Sequence, residues 1–534
     1  MKKLGVYLVE ALEAQGVRHV FGIPGVHNIE LYRGLAHGPI KHVSARHEQG
    51  LGFMADGYAR ASGRPGVCFT ITGPGLTNIA TAMGQSYGDS IPLLVISSQN
   101  RSGEAGSGAG FLHELKDQCA LASGVAGAAY AIRSPGELPE ALGRAFTSFV
   151  SARPRPIYIE IPLDVLAADA SGLPLPEVVR QAPVAPQSAI QSAVALLATA
   201  KRPLLLAGGG ARAAAGAVRR LAEHLDAPVV MTANARGVLP HGHPLAVPMS
   251  AMLAPVRAGI AAADVVLAVG TEIGPTDYSM DLRGDFPTPA QLIRIDIDAA
   301  QMNRGGAGAA IALCGDASDV LAAFERLGLG PVRDRGGAAR AQALCRAGLE
   351  AVQAFSPALR EHVATLEIIR GTLPSAFLVG DSTQMVYAGN LAMNVDQAGQ
   401  WFNSATGYGT LGYALPAATG ASLGCPDRPV VCLVGDGGLQ FTLSELAALN
   451  EVSAWVALVI FNNHGYGEIR TSMLNAGIEP EGVDVQPPDF SHLAQAYRIP
   501  YERIATREAL AAALKRFGAG RQAVMLEIFA EDFR

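Results

Sequence analysis

Charge, aromatic rings and cysteine pairs are all sparse in this chain. Of its 534 residues only 16% are charged and 6% aromatic, against 49% hydrophobic. With a formal net charge of −6 and no long Lys/Arg run, the electrostatic footprint of a nucleic-acid or anionic-membrane partner is missing. The apolar share also excludes a disordered chain, since it suffices for several cores. No apolar run reaches the length of a membrane span. The N-terminus, Met1-Lys2-Lys3-Leu4-Gly5, enters an amphipathic helix pattern without the apolar stretch and cleavage site of a signal peptide. The six cysteines (Cys68, Cys119, Cys314, Cys345, Cys425, Cys432) form no C-x-x-C pair and read as buried, reduced thiols. These absences predict a soluble, cytoplasmic protein.

What is present is a repeated alternation. Short apolar runs bounded by Gly and Pro alternate with Ala/Leu-rich helical stretches, the pattern of α/β units with parallel sheets. Two breaks divide it, a Pro-rich stretch from Gly172 to Pro186 and a Gly-rich one from Gly328 to Gly337, after a helix ending near Leu327. The expectation is three doubly wound parallel-sheet domains, at 1–170, 187–330 and 350–534. Strands are expected at 17–21, 67–71 and 93–97 in the first and at 203–207, 264–270 and 292–296 in the second. In the third they are expected at 376–380, 430–434 and 455–461.

The sharpest signal lies in the third segment. Its strand Val430–Val434 ends in Gly435-Asp436-Gly437-Gly438, and a helix containing Thr442-Leu443-Ser444-Glu445-Leu446 is expected next. A second apolar run, Trp455 to Phe461, ends in Asn462-Asn463-His464-Gly465-Tyr466-Gly467. Neighbouring strand ends would bring Asp436 and Asn463 together at the carboxyl edge of one sheet, where α/β folds bind ligands. A carboxylate, an amide oxygen and a backbone carbonyl suit octahedral Mg²⁺, with phosphate oxygens and water completing the shell. Gly437 and Gly438 would let the backbone approach a phosphate, and the helix start would offer it N–H donors. A bare G-D-G is also a common tight turn. The pair of strand-ending motifs is far more restrictive.

These motifs resemble those of the thiamine-diphosphate enzymes of the acetolactate synthase, pyruvate oxidase and pyruvate decarboxylase type. The resemblance implies thiamine diphosphate and Mg²⁺ as cofactors, with Asp436, Asn463 and Gly465 as metal ligands. Ser382 and Thr383, in Gly380-Asp381-Ser382-Thr383-Gln384, are placed like the family residues that grip the diphosphate. Gly435, Gly437, Gly438 and Tyr466 fall in the same cofactor-binding segment. It also implies names for the three domains: pyrimidine-binding, central and diphosphate-binding.

Further matches lie in the first segment. Arg46-His47-Glu48-Gln49-Gly50, followed by Ala55-Asp56-Gly57-Tyr58-Ala59-Arg60, is similar to the family's R-H-E and A-D-G-Y-A-R segment. It puts Glu48 on the activating glutamate, which must hold a proton on the cofactor's pyrimidine nitrogen. Such a group works best as a desolvated, positioned acid. Read alone, Glu48 is an ordinary solvated residue at a helix start. Thr72-Gly73-Pro74-Gly75-Leu76-Thr77-Asn78 and Tyr87-Gly88-Asp89-Ser90-Ile91-Pro92 match in order and spacing, and Pro24, Gly25 and Asn78 fall among the cofactor-binding positions. In Gly407-Tyr408-Gly409-Thr410-Leu411-Gly412-Tyr413 the resemblance makes Leu411 the wedge between the two cofactor rings and the Gly409 carbonyl an acceptor for its amino group. Core packing is the alternative for Leu411. Family members share each active site between two subunits, which implies a homodimer or homotetramer.

The family sets the cofactor but not the reaction. A 2-oxo acid loses CO₂, and the remaining unit is either protonated to an aldehyde or transferred to a second carbonyl. The chain departs from the acetolactate synthase pattern. Leu163 stands for a lysine, Thr271 for the arginine associated with flavin, and His113 for a glutamine. These departures disfavour FAD without excluding it, and disfavour acetolactate synthesis. Ile23-Pro24-Gly25-Val26-His27, Phe111 to Gln118 and Gly270-Thr271-Glu272 look more like the guanidino-oxopentanoate decarboxylases.

The expected reaction therefore converts 5-guanidino-2-oxopentanoate to 4-guanidinobutanal and CO₂. Acetolactate-synthase-like carboligation of pyruvate is the alternative, and a non-catalytic nucleotide- or flavin-binding homologue is the alternative of another class. His27 and His113 are candidate proton donors, or else capping or core imidazoles. A guanidinium tail calls for a buried carboxylate, with Glu114, Asp381 and Glu468 as candidates. Glu468 pairing with Arg470 is the plainer reading, as is a structural role for His47.

Overall fold

The computed structural model describes residues 1–278, 280, 284–303 and 308–533. Its strands form three six-stranded parallel sheets. The first contains β1 (His19–Gly22), β2 (Lys41–Ser44), β3 (Gly66–Thr70), β4 (Leu93–Gln99), β5 (Ala128–Ala131) and β6 (Ile157–Pro162). The second contains β7 (Leu204–Ala207), β8 (Val229–Met231), β9 (Ala246–Val247), β10 (Val265–Val269), β11 (Gln291–Asp296) and β12 (Ile311–Cys314). The third contains β13 (Phe377–Gly380), β14 (Trp401–Asn403), β15 (Val430–Gly435), β16 (Val456–Asn462), β17 (Tyr501–Ile504) and β18 (Val524–Phe529).

The sequence explains why these strands are central. β4, β6 and β16 are buried along their whole length, as inner strands are when helices cover both faces of a parallel sheet. The first sheet runs β2-β1-β3-β4-β6-β5, and the third repeats that order as β14-β13-β15-β16-β18-β17. The second runs β12-β11-β10-β7-β8-β9, so its winding reverses between β10 and β7. Each sheet lies within one of the three expected segments, and the helix Ala317–Leu327 ends where the second Gly-rich break begins.

Compactness groups the chain differently from the sheets. One unit gathers Met1–Gln181, Gly407–Ile504 and Ala519–Asp532; the other gathers Ala182–Thr406 and Ala505–Gly518, with Phe533. In the first unit the Pro-rich stretch is strapped down rather than free. Tyr7 Oη donates to the Pro174 carbonyl at 2.5 Å and Gln15 Nε2 to that of Pro176 at 3.1 Å. Among the described residues no cysteine forms a disulfide, but only Cys68 and Cys432 are fully buried, so the expectation of uniform burial is corrected.

Also within the first unit, helix Glu48–Ser62 crosses helix Ala414–Gly424 at close range. A Cβ on Gly57 would collide with the Ala417 carbonyl, and one on Gly420 with that of Met54. Glycine normally weakens a helix interior. Here it lets two backbones touch.

Candidate active site

The strand-end corner expected to hold a metal brings its residues together. β15 and β16 pair in register, with Gly435 opposite Phe461, so Asp436 and Asn463 leave the same sheet edge. Asp436 is 1% exposed, and both of its carboxylate oxygens are held: Oδ1 accepts from Asn463 N at 3.2 Å and Oδ2 from Gly465 N at 2.9 Å. Burial pushes its pKa above the usual aspartate value, against those two N–H donors. His464 and Gly465 take positive φ, 59° and 135°, in the turn after β16.

The Asn463 side-chain oxygen faces acceptors only, 3.1 Å from Asp436 Oδ1 and 2.9 Å from Gly465 O. Without a cation the amide would be reversed, so that its nitrogen donates to both. Adjacent ligands of octahedral Mg²⁺ stand about 2.9 Å apart, given metal–oxygen distances of about 2.0–2.1 Å. The three oxygens therefore fit a small hard cation.

The expected continuous helix after this turn is corrected. Asp436–Leu439 is one turn, Gln440–Glu445 is a 3₁₀ stretch broken at Thr442 (φ −139°), and Leu446–Glu451 resumes as α-helix. A polar capture explains the break, since Thr442 Oγ1 donates to the Gly412 carbonyl at 2.8 Å. Gly437 is pressed against Tyr466, whose ring a Cβ there would meet at 2.7 Å.

Glu48 opens the helix Glu48–Ser62 and is half-buried. His47 caps that helix, its side chain accepting from Gln49 N at 3.1 Å, which is a structural role. Asn78, from helix Pro74–Asp89, donates to Glu48 Oε2 at 2.9 Å. Glu48 and the metal corner share no hydrogen-bond partner among the described residues.

Below Glu48 the same helix is pinned by a buried ion network. Asp56 Oδ1 accepts from Arg60 Nε at 2.6 Å and from Tyr413 Oη at 2.5 Å, while Oδ2 accepts from Ser86 Oγ at 2.7 Å. Arg60 also pairs with Asp89 at 2.7 Å. Thr410 donates to Gln85 Oε1 through both its backbone N–H (3.2 Å) and its hydroxyl (2.8 Å), which anchors the 407–413 loop on helix Pro74–Asp89. Gly407, Gly409 and Gly412 take positive φ there, and Leu411 stays half-exposed rather than joining the core.

His27 and His113 come together. Their rings meet edge to face at 5.0 Å, and both Nδ1 atoms are buried with no protein partner. Burial, then the neighbouring His113, lowers the His27 pKa. His113 is held at φ 61° beside Gly73, and Asn28 clamps the Ile23–Gly25 turn through Gly25 N→Oδ1 (2.7 Å) and Nδ2→Ile23 O (3.0 Å). Pro24 and Gly25 thus sit on the turn that carries His27.

Two of the carboxylates considered for a guanidinium tail are otherwise placed. Glu114 spends its oxygens on Ser107 Oγ and on the backbone N–H groups of Gly108, Gly110 and Phe111, at 2.6–3.1 Å, so it organises its own loop. Glu468 is exposed, and Arg470 pairs with Asp484.

Ser382 and Thr383 follow β13 in the second unit. Asp381 there is fully buried and accepts from Ser382 N at 2.8 Å; Thr383 precedes helix Gln384–Ala392. The Gly208-Gly209-Gly210 run serves packing: Gly210 N donates to Gly270 O at 3.0 Å, and a Cβ on Gly210 would lie 3.0 Å from Gly270 Cα.

One residue escaped the sequence reading. Glu445 is fully buried and accepts from the backbone of Arg46 and His47. Its position between Leu443 and Leu446 was the only signal.

Three family models match in chain order: the N-terminal TPP-binding domain of thiamine pyrophosphate enzymes over residues 2–121, their central domain over 190–324 and their C-terminal TPP-binding domain over 381–528. Among curated proteins, the probable 2-ketoarginine decarboxylase of Pseudomonas aeruginosa is 47% identical across 92% of this chain and 88% of its own. Acetolactate synthase isozyme 1 large subunit of Escherichia coli is 33% identical across 87% and 82%. The probable acetolactate synthase large subunit of Methanocaldococcus jannaschii is 30% identical across 98% and 90%.

Proposed function

Because this chain belongs to the thiamine pyrophosphate enzymes, we propose that it decarboxylates 5-guanidino-2-oxopentanoate (2-ketoarginine) to 4-guanidinobutanal and CO₂. The observation that carries this reading is its similarity to the Pseudomonas aeruginosa decarboxylase, well above that to any acetolactate synthase named above.

Asp436, Asn463 and the Gly465 carbonyl would hold Mg²⁺, which binds the diphosphate. Gly435, Gly437, Gly438 and Tyr466 would line the diphosphate, and Pro24, Gly25 and Asn78 the pyrimidine side. When bound, the cofactor supplies the nucleophilic carbon and the electron sink that decarboxylation needs. Glu48 holds a proton on the pyrimidine nitrogen, oriented by Asn78. The Gly409 carbonyl would accept from the amino group, and Leu411 would pack against the cofactor. His27 and His113, both half-buried, would deliver the proton that ends the reaction as an aldehyde. Such a site is completed by a second subunit that supplies Glu48, hence a homodimer or homotetramer.

Assaying the purified enzyme with Mg²⁺ and thiamine diphosphate on both 2-oxo acids tests the reading. Guanidinobutanal and CO₂ from the guanidino acid are expected. Rapid acetolactate formation from pyruvate without guanidinobutanal rejects it in favour of carboligation.

A further inference from the structure

Backbone N–H groups between a strand and the helix after it belong to neither ladder and need another acceptor. Between β2, which ends at Ser44, and the helix that opens at Glu48, the acceptor is a side chain from the far end of the chain. Glu445 Oε1 accepts from Arg46 N and from His47 N, each at 3.0 Å, and Oε2 from Arg46 N at 3.1 Å. Gly50, in the first turn of the helix, faces the same carboxyl, and a Cβ there would collide with it. Glu445 is 0% exposed, and burying a carboxyl is costly unless its hydrogen bonds matter. At its other end, the short segment that carries Glu445 begins at Asp436 in the metal corner.

We propose that Glu445 is a positioning residue for Glu48: its buried carboxyl fixes the Arg46–His47 backbone and so the start of the helix that aims the activating glutamate. The inference rests on the role of Glu48 proposed above. Glu445 touches neither substrate nor cofactor in this account. It acts through the backbone, so a hydrogen-bond acceptor of the same size is what the position requires.

The test compares Glu445→Ala, Glu445→Gln and Glu48→Gln. In the cofactor-free protein, amide hydrogen exchange at Arg46 and His47 is expected to speed up in Glu445→Ala, because their acceptor is gone. In the loaded protein, exchange of the cofactor's C2 proton is expected to slow by about tenfold or more, while the cofactor dissociation constant moves by less than about threefold. Glu445→Gln keeps an acceptor at Oε1 and is expected to recover C2 exchange to within about threefold of wild type. Wild-type C2 exchange in Glu445→Ala, or equal damage in both Glu445 variants, overturns the proposal. If Glu445→Ala does not fold, Gly50→Ala displaces the same carboxyl and decides the matter: slowed C2 exchange supports the proposal, and a wild-type rate overturns it. Glu48→Gln separates the two readings. If it leaves C2 exchange intact, the role of Glu48 fails; if it abolishes exchange while the Glu445 variants do not slow it, only the positioning role fails.

Discussion

Asn78 Nδ2 donates to Glu48 Oε2 over 2.9 Å, tying the first turn of one helix to the side of another. The bond orients the carboxyl proposed to face a ring nitrogen of the cofactor. Asn78→Ala is therefore expected to keep the fold and most cofactor affinity but slow C2 proton exchange by about tenfold. Proton-exchange kinetics by NMR, beside a cofactor titration, check this; a loss of affinity with unchanged exchange would contradict it.

The convergence of Asn463, Asp436 and Gly465 oxygens predicts strict dependence on a divalent cation. Chelation is expected to abolish activity and Mg²⁺ to restore it. Asp436→Ala is expected to weaken cofactor binding by about a hundredfold or more, because a cation would lose its only carboxylate among the three ligands. Isothermal titration with thiamine diphosphate, with and without Mg²⁺, reads the effect. Equal affinity in the two conditions would remove the metal from the site.

The edge-to-face contact of His27 and His113 predicts coupled effects. Each alanine variant should lower aldehyde formation by about tenfold to a hundredfold if its imidazole serves the proton step. Since the rings share one contact, the double variant should lose less than the product of the two single losses. Strictly multiplicative losses in kcat would show that the rings act independently.

Gly57 and Gly420 mark where two helices touch through their backbones. Gly57→Ala and Gly420→Ala should each destabilise the protein by about 3 kcal/mol or more, because backbone carbonyls cannot move aside as side chains do. Thermal unfolding and soluble yield measure the loss. An unchanged midpoint in either variant would mean that the crossing is looser than described.

Burial pushes the Glu445 pKa to about 7, above its ordinary value of 4.5, against the Arg46 and His47 N–H donors and the nearby Arg46 charge, with Glu451 adding to the rise. A folded-state pKa above the unfolded one means that the fold favours the protonated acid. That stability is complete below about pH 4.5 and is lost as pH rises through about 7. Relative to Glu445→Gln, wild type should lose on the order of 2 to 3 kcal/mol between about pH 5 and pH 8. Denaturant curves across that range test the sign; parallel pH profiles for the two proteins would refute it.

The corner proposed to hold a metal was legible because its residues are local. Asp436, Asn463 and Gly465 stand at the ends of two paired strands, and the residue types at a strand end and its turn declare what they can bind. The strands were legible for the same reason: a run such as Val456 to Phe461 has one stable use, between two layers of helices. The helix expected through Thr442 was not, because a hydroxyl captured by the Gly412 carbonyl outweighed local propensity. Glu114 misled for a related reason. Four donors of its own loop fill its oxygens, and no composition rule announces that.

By itself the sequence determined the three-sheet α/β plan, the motif pair at the third sheet's edge and the family that pair belongs to, since each depends on short-range order along the chain. Only the tertiary structure decided that Glu445 meets the backbone of Arg46 and His47, 399 and 398 residues away, and that His27 and His113 face each other. Contacts at such separations are set by how whole layers stack. A side chain's long-range partners follow from topology, which no local pattern encodes.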